Sequence, residues 1–234
     1  MNSTTTQEGE AFLKRQEDIP DIFVDPYRTK LHKGNALHTA IASEHVYMMD
    51  DEGKPDGERI LEHLRKYDAD YISVTGVSNK SSQAAFIEHE RFVMYAFTGT
   101  NEISDWLDNI NAFSDEKLGG EIHRGFHNAW EDIWPELESI YWAHRRKEKR
   151  PVLITGHSLG GAMATVCVQK FILEDWPFTS AYLYGAPRTL DKKTARTFNN
   201  ECRNKVFRFQ NRTDIVTRLP ACLLYTSPSP RDRG

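Results

Sequence analysis

Residues 152–166 read VLITGHSLGGAMATV, and the fold turns on how this stretch is taken. The first four residues are apolar or β-branched and predict a short buried strand. The residues after Gly161 are small and apolar and predict a buried helix. Between them lies G-x-S-x-G, formed by Gly156, His157, Ser158, Leu159 and Gly160. The bare pattern is common, but a strand running straight in and a helix running straight out make it a nucleophile elbow. The residue types follow from sterics. The turn is so tight that the serine must take a strained backbone conformation, and side chains two positions either side of it would collide. Gly161 and Ala162 then let the helix approach the sheet closely. The serine Oγ stands above the strand ends, and the helix N-terminus beneath it favours a developing oxyanion.

Downstream, AYLYG and KVFRFQN read as strands and DKKTARTFNNEC as a polar helix. Upstream, Leu37, Ile41, Val46 and Met49 fall at near-helical spacing, and GERILEHLRKY reads as a second, amphipathic helix. YISVTGV reads as a strand. Residues 84–88 and 92–97 read as a hairpin whose second strand is apolar enough to be buried on both faces. Ile103, Trp106, Leu107 and Ile110 share one face of a short helix. RGFHNAWEDIWPELESIYWAHRRKEKR reads as a long helix with a basic end, with Pro135 expected to kink or break it. Alternating strands and helices in the second half mean an α/β fold with a mostly parallel sheet flanked by helices.

The chain has 234 residues, 39% hydrophobic and 27% charged, which suits one α/β domain. A formal net charge of -4 gives no electrostatic case for a nucleic-acid partner. No apolar run reaches the roughly 18 residues of a membrane helix, so no transmembrane segment is expected. The start, MNSTTTQEGE, lacks the apolar stretch of a secretory signal. A cytoplasmic location is the default, with secretion open if residues precede Met1. Cys167, Cys202 and Cys222 show no metal-ligand spacing and no disulfide framework.

A serine nucleophile needs a base, and the base needs an orienting carboxylate. In elbow-bearing folds the chain order is serine, acid, histidine. Asp214, just past the predicted strand at 206–209, is a candidate acid, with a solvated loop aspartate the equal alternative on spacing alone.

Six ordered blocks between Asn35 and Pro220 resemble the class 3, fungal-type lipases, a family of α/β-hydrolases. They are YAFTGT, ISDWLDNI, HRGFHNAW, ITGHSLGGAMA, LYGAPR and NRTDIVTRLP. The resemblance implies an α/β-hydrolase fold, Ser158 as nucleophile and Asp214 as the acid. It also implies an oxyanion hole from Thr100 and Leu159, and a lid carrying Ile103, Trp106, Leu107 and Ile110. Thr98 stands where the family usually has arginine, a departure expected to soften the anchoring of the oxyanion loop. The implied substrate is an acyl-lipid ester, reached through transient contact with a lipid interface, with no metal and no cofactor. A short-chain esterase or acyltransferase on the same scaffold, or a non-catalytic hydrolase-like binding protein, stays open beside it.

All nine histidines precede Ser158, so the base has no candidate after Asp214. The stretch CLLYTSPSPRD, at 222–232, back-translates to DNA that resembles a transposase-derived sequencing adapter. The resulting expectation has an irregular segment at 1–34, a hydrolase domain at 35–221 lacking its C-terminal elements, and a non-native tail at 222–234. The histidine would lie in the missing part, and these 234 residues alone would be nearly inactive.

Overall fold

The computed structural model describes residues 23–99, 114–210, 216–218 and 224–225. Helix α1 (Lys33–His45) starts at His32, whose ring nitrogen accepts a hydrogen bond from the Asn35 N–H. Helix α2 (Gly57–Leu64) is capped by the Asp56 carboxylate, which accepts from the Arg59 N–H at 3.1 Å. The chain then lays down β1 (Tyr71–Asn79), β2 (Ser82–His89) and β3 (Val93–Phe97) as an antiparallel meander. Every residue of β3 is buried, as its unbroken apolar run predicts. Val93, Tyr95 and Phe97 face one hydrophobic layer and Met94 and Ala96 the other.

A short hairpin follows, β4 (Ser114–Lys117) and β5 (Gly120–His123), leading into the long helix α3 (Arg124–Lys147). The sequence reading had no strands here. The hairpin closes through Leu118 and Gly119, with φ of 47° and 76°. A tight two-residue hairpin turn requires φ above zero at both central positions. Leucine is a poor signal for it, which hides the turn. α3 also settles one half of an expectation, because Pro135 lies within one continuous helix and does not break it. The proline forfeits one ladder bond, but Trp130, Ile133, Trp134, Leu137 and Tyr141 bury the helix on both sides of it.

Next come β6 (Val152–His157), the buried helix α4 (Leu159–Leu173), β7 (Ser180–Tyr184) and β8 (Leu190–Asp191). Helix α5 (Lys192–Glu201) is capped by Asp191, whose carboxylate accepts from the N–H groups of Lys193 and Thr194. Strand β9 (Val206–Phe209) completes the main sheet. β10 (Leu224–Tyr225), inside the stretch expected to be foreign, pairs antiparallel with Leu190 and Asp191.

The main sheet runs β1-β2-β3-β6-β7-β9, with β3, β6, β7 and β9 parallel. α1 and α2 cover one face and α3 and α4 the other, each over its own hydrophobic layer. A smaller antiparallel sheet, β10-β8-β5-β4, lies beside them. Because four neighbouring strands point the same way, the residues that follow them emerge at one edge. In open α/β sheets that carboxyl edge is where ligands bind. Cys167 and Cys202 are buried free thiols. Among the described residues, no helix is long and apolar enough to cross a membrane.

Candidate active site

Ser158 sits at the carboxyl end of β6, between strand and helix, with φ 54° and ψ -125°. Its N–H donates to the Tyr184 carbonyl on the neighbouring strand at 2.9 Å, and its own carbonyl accepts from the Gly161 N–H at 2.9 Å. Both bonds hold the backbone in a region that only glycine enters freely. The flanking glycines are where sterics demand them. A Cβ on Gly156 would overlap the Gly160 carbonyl, and one on Gly160 would overlap the Phe97 carbonyl of β3. A Cβ on Gly161 would come to 2.6 Å from the Ala186 Cβ, so this glycine lets α4 close onto the loop after β7. Leu159 is the first residue of α4, and a helix's first N–H has no acceptor within the helix. Its amide suits an oxyanion beside Ser158.

The chain leaving β3 passes directly against the nucleophile. A Cβ on Gly99 would lie 3.1 Å from the Ser158 Cβ and 2.9 Å from the His157 carbonyl oxygen. Thr98, the residue expected to soften the anchoring of this loop, makes two hydrogen bonds to β2. This buried threonine donates its hydroxyl to the Gln83 carbonyl at 2.9 Å, and its N–H donates to the same oxygen at 3.1 Å. A short hydroxyl tied to β2 thus anchors the loop where arginine is usual. Gly99 is held from the other side by Tyr47, which the sequence reading did not single out. The Tyr47 hydroxyl accepts from the Gly99 N–H at 2.8 Å and lies 3.2 Å from His157 Nδ1. Burial pushes the Tyr47 phenol above its ordinary value, against a smaller downward pull from the Gly99 hydrogen bond.

Strand β9 ends at the same edge. Buried Arg208 spreads its guanidinium there over the Gln210 side chain at 2.6 Å, the Ala186 carbonyl at 2.5 Å and the Thr217 carbonyl at 2.7 Å. It therefore joins β9, the loop after β7 and the turn at Val216–Arg218. Thr100, Asp214 and the lid positions Ile103, Trp106, Leu107 and Ile110 lie outside the described residues. Gly99, before Thr100, and Gln210, before Asp214, leave the edge that carries Ser158, and Thr217, after Asp214, accepts from Arg208 there.

The histidines described here have other surroundings. Exposed His157 meets Tyr47. His89 is buried, stacks on Phe92 at 4.2 Å and lies 3.2 Å from the Asp68 carboxylate. That pair has the makings of a base and its orienting acid, and Asp70 joins it as a group of possible metal ligands. It stands at the amino end of β3, however, a strand length of roughly 17 Å from the elbow. Burial lowers the His89 pKa more than Asp68 raises it. His123 ends β5, stands at the N-cap position of α3 without a side-chain capping bond, and packs on Phe126 at 4.4 Å.

A family model described as Lipase (class 3) matches residues 94–224. The secreted mono- and diacylglycerol lipase 1 of Fusarium solani is 29% identical over 164 residues, 65% of this chain and 48% of that protein. The chloroplastic phospholipase A(1) DAD1 of Arabidopsis thaliana is 26% identical over 157 residues, 57% of this chain and 35% of that protein. The chain thus spans about half the length, or less, of these curated relatives. Among solved structures, lipase II from Rhizopus niveus superposes with a TM-score of 0.62 at 22% identity, covering 79% of this chain and 73% of that one. That likeness shows an α/β-hydrolase fold.

Proposed function

The chain belongs to the class 3 lipase family, and on that footing we propose that the whole protein hydrolyses carboxylic esters of acyl lipids, with mono- and diacylglycerols and phospholipids the first substrates to try. The observation that carries this reading is the strained elbow at Ser158, with the Gly99 loop packed against it at the carboxyl edge of the sheet. In the proposed reaction the Ser158 hydroxyl attacks the ester carbonyl as a base removes its proton. The tetrahedral oxygen is held by the amides of Leu159 and Thr100, each such donor worth roughly 3 kcal/mol of transition-state stabilisation. The base then protonates the departing alcohol, leaving an acyl ester on Ser158. Water, deprotonated by the same base, releases the carboxylic acid and restores the serine. Asp214 orients the base and stabilises its positive charge. The reading requires that base to be a histidine following Asp214 in chain order. None of the nine histidines of this sequence does so.

The test is to express the full-length product of the gene and assay emulsified diacylglycerol, phosphatidylcholine vesicles and soluble p-nitrophenyl butyrate. A fluorophosphonate should form an adduct that peptide mass mapping places on Ser158, with fatty acid released from at least one lipid. Turnover of the butyrate ester alone would reduce the protein to a short-chain esterase. Neither labelling nor turnover would leave a non-catalytic binding protein.

We assign the stripe of Ile103, Trp106, Leu107 and Ile110 to contact with lipid. Trp106→Asp is expected to cut activity on the emulsion at least tenfold while changing butyrate hydrolysis less than twofold. Equal loss on both substrates would mean that the stripe packs into the protein instead.

A further inference from the structure

We propose that Tyr47 is a positioning residue of the oxyanion hole, its hydroxyl clamping the Gly99 amide to the nucleophile elbow. The proposal rests on the reading of Ser158 and Thr100 given above. Tyr47 lies two residues past the end of α1, far from the elbow in sequence, and its ring is half-buried. Its hydroxyl touches both sides of the site. On one side it accepts the Gly99 N–H at 2.8 Å. On the other it lies 3.2 Å from His157 Nδ1 and 3.5 Å from the His157 carbonyl oxygen.

The roles are fixed by chemistry. An amide N–H only donates, so the phenol oxygen is the acceptor toward Gly99. Burial keeps the phenol protonated, so its single proton is left to donate toward His157. One neutral hydroxyl therefore bridges the residue after Thr98 to the residue before Ser158. Gly99 also has no slack, because a Cβ there would overlap the Tyr47 oxygen and stand 3.1 Å from the Ser158 Cβ. With its N–H committed to Tyr47, Gly99 is not the donor to the substrate oxygen. The clamp instead fixes the Thr98–Gly99 peptide, one peptide ahead of the amide of Thr100, the residue assigned that role. Thr98, tied to Gln83, supplies the second fixed point of the same loop.

Tyr47→Phe keeps the ring and removes only the bridge. Tightening that exists for the transition state should appear in kcat, since a displacement of about 1 Å at such a site costs up to 10²-fold. In the full-length protein, kcat for p-nitrophenyl butyrate should fall 10- to 50-fold, with KM within twofold. Phosphonylation of Ser158 should slow in parallel, and the unfolding midpoint should move by only a degree or two. Amide exchange at Gly99 should quicken while exchange in β6 stays as it was. An unchanged kcat, or a change confined to KM or to the unfolding midpoint, would overturn the proposal. Ser158→Ala, run alongside, separates the two failures. If it hydrolyses as well as the parent, the Ser158 reading falls and the clamp's catalytic role falls with it. If it is dead and Tyr47→Phe is fully active, only the clamp is wrong.

Discussion

Replacing Ser158 with glycine is expected to abolish ester hydrolysis and, in the same protein, to raise stability. The loss is chemical. Without the Oγ no acyl-enzyme can form, and removing a serine nucleophile costs on the order of 10⁶-fold in a comparable triad. The gain is conformational. At φ 54° and ψ -125° a residue with a Cβ is held in a sparsely populated region at a cost of roughly 1–3 kcal/mol. Glycine takes that conformation without strain but gives up roughly 0.5–1 kcal/mol of backbone entropy on folding. The difference leaves a gain of about 1 kcal/mol, or a rise of about 2–4 °C in the unfolding midpoint for a chain of this size. Ser158→Ala is the control that separates the two effects, because it deletes the same oxygen and keeps the Cβ. Equal midpoints for the two variants would mean that the strain stored at the elbow is no larger than the roughly 0.5–1 kcal/mol of backbone entropy that glycine gives up. Activity surviving in either would remove Ser158 from the mechanism.

That strain was legible before any coordinates because it is local. The spacing of Gly156, Ser158 and Gly160 between an apolar run and a small-residue helix leaves little choice of backbone. What the glycines avoid is less local. Gly156 avoids the Gly160 carbonyl within the turn, as read from the motif, whereas Gly160 avoids the Phe97 carbonyl on a different strand. β3 is likewise legible, since burial on both faces writes itself as an unbroken apolar run. The β4–β5 hairpin is not, because its positive-φ turn falls on leucine. That Pro135 does not break α3 is not legible either, because the aromatic burial on either side of it lies outside any local cost. Tyr47 and Arg208 escape for a further reason. Their roles rest largely on hydrogen bonds to backbone atoms of Gly99, Ala186 and Thr217, and a backbone carbonyl or amide leaves no mark on residue identity. Thr98 is the instructive middle case. Its departure from the family pattern is visible in sequence, but the paired bonds it makes to Gln83 depend on β2.

Gly160→Ala should have the opposite sign from what its place in a helix suggests. Within the first turn of α4, helix propensity alone would favour alanine by about 1 kcal/mol. The built Cβ, however, overlaps the Phe97 carbonyl oxygen and lies 2.7 Å from the Phe97 and Thr98 carbonyl carbons. All of these are backbone atoms, so no side-chain rotation makes room. The only relief is to part α4 from the end of β3. Phe97 is held in register with Gly156, and Thr98 is tied to Gln83, so parting them strains the sheet at its most buried strand. Overpacking of this kind costs 1–3 kcal/mol where side chains give way, and more where they cannot. A loss of about 3–5 kcal/mol is expected, a large part of the 5–15 kcal/mol that holds a typical domain. Whatever protein remains folded should hydrolyse esters poorly, because the same displacement moves Gly99 away from Ser158. Equilibrium unfolding in urea decides it by sign. Destabilisation beyond 2 kcal/mol follows from the close approach of helix and strand. A stabilised alanine variant would mean that the approach is looser than described, and that the loop after β3 is held near the nucleophile by Tyr47 and Thr98 alone.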